Sequence, residues 1–372
     1  MSRLPASVST QHSLADLVEL QRGYDLTAAE RMPGHIPVIG GGGPNGTHDT
    51  ANVTGPGVVV VRSGSGFGNV WWVNEDFWAH NTVMFAKSFK GNHKKFAYYV
   101  LDWLDFTSYN SGGAQPSLNR NFIYSIPVFL PAPSEQEHIA NILETWDRAI
   151  ETVEALIANA RAQKQALMQQ LLPQGTTPPK KRLPGFSGDW REAKLSSLAD
   201  VSKGEQKGRA SLAEAGPVPV INGGITPSGY TDHSNTAANT ITISEGGNSC
   251  GHVDLITQPF WCGGHCYALK NLKVDRDYLF AVLKHRQPEI MSLRVGSGLP
   301  NIQKKALSQF SIPIPAKPEQ GKIGELAASA DKEIAALEAQ LTALRQEKAA
   351  LMQQLLTGKR RVKLPESEAA HA

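Results

Sequence analysis

The chain has too little of several things to be many kinds of protein. Its 372 residues include three cysteines, an odd number that sets no disulfide framework and fits a reducing compartment. No run of about 18 apolar residues occurs, so nothing is expected to span a bilayer, and Met1 to His12 has no apolar core of the secretory kind. A cytoplasmic location is the expectation. Net charge is only +3 with a pI near 8.6, well below that of a histone-like binder, so contact with nucleic acid has to come from local patches. The sequence has neither an Asn-Pro-Pro-aromatic methyltransferase signature nor a Gly-Lys-Ser/Thr phosphate loop. What is present, with 41% hydrophobic residues, suffices for two or three ordinary cores.

The most informative feature is a duplication. Lys164-Gln165-Ala166-Leu167-Met168-Gln169-Gln170-Leu171-Leu172 recurs as Lys348-Ala349-Ala350-Leu351-Met352-Gln353-Gln354-Leu355-Leu356, an offset of 184 residues (348 − 164). The same offset carries Leu14-Ala15-Asp16 onto Leu198-Ala199-Asp200, Pro116 onto Pro300, and Glu135-Gln136 onto Glu319-Gln320. A repeat this long is a domain, not a solenoid unit. Two similar modules in one polypeptide suit two similar targets.

From Ile139 the apolar residues fall on two seven-residue ladders: Ile139, Trp146, Val153, Ala160, Leu167 and Leu143, Ile150, Ile157, Lys164, Leu171. The second half repeats them as Ile323, Ala330, Leu337, Leu344, Leu351 and Ala327, Ile334, Leu341, Lys348, Leu355. Sustained heptads of this kind make a coiled-coil seam, with Lys164 and Lys348 as register devices on the same rung. Ser134 is expected to cap the first helix, with Glu135 and Glu137 complementing its dipole. Pro173 and Gly175 stop it, and Gly358 stops the second. Each helix then runs to about 38 residues, roughly 57 Å. Because the Pro-rich link from Thr176 to Arg182 is short, the helices are expected to pair antiparallel.

The modules read as mixed strands and loops. Val58 to Val61 is a buried strand, and Thr240-Ile241-Thr242-Ile243 is its counterpart. Ile36-Pro37-Val38-Ile39-Gly40-Gly41-Gly42 aligns with Val218-Pro219-Val220-Ile221-Asn222-Gly223-Gly224, and Phe77-Trp78 with Phe260-Trp261. Helices are expected at Lys94 to Phe106 and Tyr278 to Arg286. Polar turns at Gln115 to Asn119 and Leu299 to Gln303 precede strands at Ile126-Pro127-Val128 and Ile312-Pro313-Ile314. The expected class is α+β, two similar mixed modules separated by two long helices that form an antiparallel coiled coil, with an internal pseudo-twofold repeat. The divisions are 1–133 and 186–315 for the modules, 134–172 and 316–358 for the helices, 173–185 for the linker and 359–372 for a basic-to-acidic tail.

Strand-Gly-Gly, strand with glycine-rich turn, aromatic pair, Gly-Ser-Gly-Leu-Pro-Asn-Ile, then Ile-Pro-Ile-Pro and a long helix ending Leu-Met-Gln-Gln-Leu-Leu, an order of elements that both halves follow, resembles the specificity subunit of type I restriction-modification systems. The resemblance covers essentially the whole chain. One departure is that the first module has no clear match for Phe186-Ser187-Gly188-Asp189-Trp190. The resemblance implies two target-recognition domains, each reading half of a split double-stranded DNA sequence. It implies helices that set the spacing and dock two methyltransferase subunits, with restriction subunits as further partners. It implies no catalysis by this chain, so S-adenosylmethionine, ATP and Mg would belong to the partner subunits.

Three rival readings stand against this one. Val58 to Gly68 is strand followed by Gly-x-Gly-x-Gly, a candidate cradle for S-adenosylmethionine, but Val70-Trp71-Trp72-Val73 continues as strand and not as the helix such a loop requires. Cys250, His252, Cys262, His265 and Cys266 are donors that zinc accepts, but at spacings of no common site, so buried thiols are expected and no metal. A two-headed protein-binding scaffold without DNA is the alternative of a different class. Candidate DNA contacts are Arg62, Lys87, Lys90, His93, Lys94, Lys95, Asn119 and Arg120 in the first module. In the second they are Lys203, Lys207, Arg209, Asn248, Arg294, Asn301, Lys304 and Lys305. Lys and Arg would mostly neutralise phosphates, while Asn and Arg near base edges would specify sequence.

Overall fold

The computed structural model describes residues 12–113, 115–175, 177–296 and 298–362. The chain divides into two compact units, Met1–Glu154 with Gln340–Ala372, and Ala155–Ala339. Each unit thus takes one module with segments of both long helices, which cuts across the division at helix boundaries expected above. Most of the tail, from residue 363, lies outside the described residues.

In the first unit the valine run forms strand Gly57–Val61, all of it buried. It lies inside a four-stranded antiparallel sheet with order Glu19–Arg22, Val83–Ser88, Gly57–Val61, Val70–Val73. Alternation explains why every valine is apolar. Val58 and Val60 face a core with Phe96, Tyr99 and Val100 of helix Lys94–Trp103, while Val59 and Val61 face a second cluster with Ile39, Phe77 and Ala79. In the second unit Thr240–Ser244 holds the matching place, in the order Asp200–Lys203, Cys266–Lys270, Thr240–Ser244, Val253–Ile256. Ile241 and Ile243 enter that unit's main core. Each unit also has a three-stranded sheet in which Ile36–Gly40 or Val218–Ile221 pairs parallel with Trp78–Ala79 or Trp261–Cys262.

Several boundaries differ from expectation. Helix Lys94–Trp103 ends before Phe106, and a single-turn helix Phe106–Tyr109 follows, capped by Asp105. Its counterpart is Arg276–His285, where the Asp275 side chain accepts from Tyr278 N. The polar turns lead into short helices Arg120–Ile123 and Lys304–Ser308 before the expected strands. The first long helix is Pro133–Leu171, so Ser134 is its second residue and not its cap, and the Ser134 hydroxyl is buried with no hydrogen-bond partner. Proline suits a first helical position because no N–H is needed there. The second long helix is Lys317–Leu355, followed by Gly358 at φ 70°, a left-handed turn that glycine adopts without strain.

Every apolar seam residue, Ile139, Leu143, Trp146, Ile150, Val153, Ile157, Leu167, Leu171, Ile323, Ile334, Leu337, Leu341, Leu344, Leu351 and Leu355, is buried or half-buried. Within each unit the two helical segments run antiparallel, as the ion pairs record. Lys348 pairs with Asp147 and Arg345 with Glu154 at 2.5 Å in the first unit. Lys164 pairs with Asp331 and Arg161 with Glu338 at 2.5 Å in the second. Each pair is the other's image under the repeat, so the two polar rungs of the seam are neutralised by carboxylates from the opposite helix. Reversing Lys164 to Asp is therefore expected to destabilise the second unit by about 1 kcal/mol, a small figure because Asp331 is partly exposed. Adding Asp331→Lys should restore the thermal midpoint, and a double variant no more stable than the single would remove the pair from the account of register.

A second ion pair closes each helix start. Glu319, 1% exposed, accepts from Arg182 Nε at 3.0 Å and Nη2 at 2.5 Å. Glu135, 3% exposed, accepts from Arg361 Nε and Nη2 and from Val362 N. The basic segment after one long helix thus clamps a buried glutamate in the first turn of the other. The carboxylate raises the Arg182 guanidinium above its usual value. Arg182→Ala leaves that carboxylate buried without its counter-ion and is expected to lower the thermal midpoint, whereas Arg182→Leu with Glu319→Leu removes both charges and should recover most of the loss. Equal melting of the two variants would contradict the clamp.

Candidate nucleic-acid interface

Strand Gly57–Val61 delivers Arg62 to the rim of the first module's sheet. Its backbone is fixed on both sides: Arg62 N donates to Thr82 O at 3.0 Å, and Leu118 N donates to Arg62 O at 2.8 Å. The half-buried side chain donates from Nη1 to Asn81 O and from Nη2 to Ser117 Oγ, each at 3.3 Å. Burial and the like charge of Arg22 both lower the Arg62 pKa from its usual value, though an arginine stays charged. Arg62, Arg22, Gln21, Ser117, Asn119 and Arg120 line one open cleft of about 420 Å³. Arg120 Nη1 donates to Leu20 O at 2.7 Å, and the Asn119 side-chain oxygen accepts from Asn121 N, capping the short helix. The cleft is a concave basic surface with donors to spare.

The second module builds the same frame with other chemistry. Glu245 follows strand Thr240–Ser244, its N donates to His265 O at 2.9 Å, and Ile302 N donates to its O at 2.8 Å. These bonds match those of Arg62, so Arg62 and Glu245 occupy equivalent positions. The Glu245 carboxylate is held by Lys203 Nζ at 2.6 Å and Tyr267 Oη at 3.2 Å, with His265 Nδ1 at 3.5 Å. Lys203 pairs across the sheet with Tyr267 as Arg22 pairs with Met84. The arginine pair of one module is therefore a lysine–glutamate pair in the other.

The structure disperses the remaining candidates. Lys87, Lys90, His93, Lys94 and Lys95 lie at or beyond the far end of strand Val83–Ser88 from Arg62. Lys87 pairs with Glu19 at 3.4 Å, and Lys94 Nζ reaches Pro56 O at 3.4 Å. His93 caps helix Lys94–Trp103, and its N donates to Gln136 at 2.9 Å. Lys95 lies over the Trp72 ring at 4.2 Å, half-buried, which lowers its pKa. His93 thus ties the module to the long helix through Gln136, and Lys95 packs helix Lys94–Trp103 against strand Val70–Val73. In the second module Lys207 lies over the Trp261 ring at 4.1 Å. Asn248, Arg294, Asn301, Lys304 and Lys305 are exposed around the bridges from Asn301 to Gly246 and Val295, and Arg209 is exposed on a single-turn helix.

The glycine-rich turn Gly64–Gly68 leads into strand Val70–Val73. Cys250, Cys262 and Cys266 are buried thiols, burial raising the Cys250 pKa. Among the described residues no group of three or more His, Cys, Asp and Glu is placed to hold a metal ion, and no helix is long and apolar enough to cross a membrane. Sequence reasoning missed Arg22, Ser117, Glu245 and Tyr267. Glu245 carried a signal, since aligning the strands Val58–Val61 and Ile241–Ser244 sets it against Arg62.

A duplicated fold whose two matching frames present side chains of opposite charge, each in a unit with an antiparallel pair of helical segments, defines a class of two-headed recognition protein. The family comparison agrees: the model of the type I restriction modification DNA specificity domain matches residues 9–160 and again 187–345. The chain belongs to that family. Among similar proteins are a putative type I specificity subunit of Mycoplasma pneumoniae, 36% identical over 131 residues, 34% of this chain and 35% of the relative. Another, from Mycoplasma genitalium, is 35% identical over 128 residues, 34% of this chain and 33% of the relative. The chain thus spans about a third of the length of these two relatives. The type I restriction enzyme MjaVIII specificity subunit of Methanocaldococcus jannaschii is 23% identical over 337 residues, 82% of this chain and 79% of the relative. The crystal structure of a type I restriction-modification S subunit from M. genitalium matches the fold with TM-score 0.72 at 21% identity, over 96% of this chain and 99% of that one.

Proposed function

We propose that the chain is a non-catalytic, cytoplasmic DNA specificity subunit of a type I restriction-modification complex. Each module reads one half of a bipartite double-stranded target, and the long helices serve as spacer and as docking surface for two methyltransferase subunits, with restriction subunits joining them. Methyl transfer from S-adenosylmethionine, and any step needing ATP and Mg, belongs to those partners. The observation that carries this reading is the pair of matching backbone frames, which present Arg62 in one module and Glu245 in the other. A structural role would tolerate the same residue twice, whereas two readers of two different half-sites require different groups on one scaffold.

The purified chain alone is expected to transfer no methyl group and cut no DNA, while the complex assembled with its methyltransferase subunits methylates a defined split sequence. Its affinity for duplex DNA should fall steeply between 50 and 200 mM salt, by about a thousandfold or more if six or more phosphates are contacted. Methyl transfer by the chain alone would overturn the non-catalytic assignment. Assembly with no salt-dependent DNA binding would favour the scaffold alternative.

A further inference from the structure

The difference between the two matching frames points to a particular reading residue. In the first module Arg62 lies recessed at the cleft wall, with Arg22 and Arg120 exposed at its rim. Its hydrogen-bond partners, Asn81 O and Ser117 Oγ, are neutral and at 3.3 Å. They orient the guanidinium without neutralising it, and they engage only two of its five N–H donors. The exposed rim arginines suit phosphates, which lie on the outside of the duplex, while a recessed planar fork suits a paired acceptor that enters the cleft. In the second module the same position is an acid held by Lys203 and Tyr267, its side chain 13% exposed, and a carboxylate has no N–H donors to offer such an acceptor pair.

We propose that Arg62 is a sequence-reading residue of the first module, presenting parallel N–H donors to an adjacent acceptor pair of the kind that guanine O6 and N7 offer in the major groove, and that the second module takes no such base at the matching position. Ser117 and Asn81 are positioning residues for it. The inference deepens the DNA-specificity reading and rests on it. Arginine on guanine is the commonest specific contact, and a good bidentate pair discriminates by roughly one to two orders of magnitude against the wrong base.

The test uses the full chain assembled with its methyltransferase subunits and maps methylated adenines across a genome and on a library randomised in both half-sites. Wild type is compared with Arg62→Ala and Arg62→Lys, with the thermal midpoint as the folding control. Arg62→Lys keeps the charge and loses the fork. Both variants are expected to relax preference at a single guanine of one half-site, roughly tenfold to a hundredfold, with the other half-site unchanged. If Arg62→Lys keeps the full motif while Arg62→Ala weakens methylation at every sequence and flattens the salt dependence, Arg62 contacts phosphate and the inference falls. A motif unchanged in both variants also overturns it while leaving the specificity reading intact. Wild-type complex that methylates no defined sequence overturns both.

Discussion

Replacing residues 186–315 with the matching module of a related chain should change one half of the methylated target completely and leave the other half unaltered. Core continuity sets the condition for this. Met168 and Leu171 of the first long helix, Leu172 just after it, and Ile323 and Ala327 of the second belong to the same buried cluster as Leu195, Leu198, Tyr278, Leu279, Leu307, Ile312 and Ile314 of the module. A graft that alters those module residues would open a cavity against the helices, at about 2–5 kcal/mol for each large aliphatic side chain cut to alanine. A graft that keeps them and exchanges the loops around Glu245, Asn248 and Asn301 should fold. The first module's cluster draws on Ile139, Ala140, Leu143, Met352, Leu355 and Leu356, none of which the exchange touches. Methylation mapping checks the result, and a change in both halves would refute independent reading.

The parts legible in the sequence were those fixed by local periodicity. The heptads over residues 139–171 and 323–355 needed only side-chain spacing, and the polar rungs Lys164 and Lys348 could be singled out without knowing their partners Asp331 and Asp147. The valine run gave a buried strand because both of its faces are covered. The cleft was less legible because its parts are brought together by pairing across the sheet. Arg22 reaches Arg62 only because strand Glu19–Arg22 pairs with Val83–Ser88 and that strand pairs with Gly57–Val61. His93 and Lys95 look like surface bases in the sequence, yet one caps a helix and the other lies on aromatic rings, roles set by long-range packing. Ser134 satisfied the cap pattern, but Pro133 already begins the helix.

Tyr99→Ala should be among the most damaging single substitutions in the first unit, and the duplication explains why. Tyr99 is fully buried in that unit's core, its hydroxyl donates to Asp147 Oδ2 at 2.5 Å, and Lys348, the partner of Asp147, lies over its ring at 5.4 Å. Burial and the hydrogen bond to Asp147 both hold the phenol protonated by raising its pKa. The matching frame in the second unit is fixed by Asp275 N, which donates to Gln320 at 3.1 Å as His93 N donates to Gln136 at 2.9 Å. Counting six residues on from each (99 − 93 and 281 − 275) places Ala281 where Tyr99 stands. There an open groove of about 650 Å³, lined by Ala281, Lys284, Lys164, Met168, Asp331 and Ile334, takes the space. Tyr99→Ala should cut such a groove into a unit whose packing does not provide for it, at about 3–5 kcal/mol. For a unit of this size that lowers the thermal midpoint by roughly 6–20 °C. Tyr99→Phe keeps the ring and removes only the bond to a carboxylate, about 1.5–3 kcal/mol, so it should fall between wild type and Tyr99→Ala. Ala281→Tyr, placed in a groove already open, should leave the second unit's midpoint nearly unchanged. Calorimetry separates these outcomes: equal losses for Tyr99→Phe and Tyr99→Ala would mean that the hydroxyl, and not the ring, supports the seam.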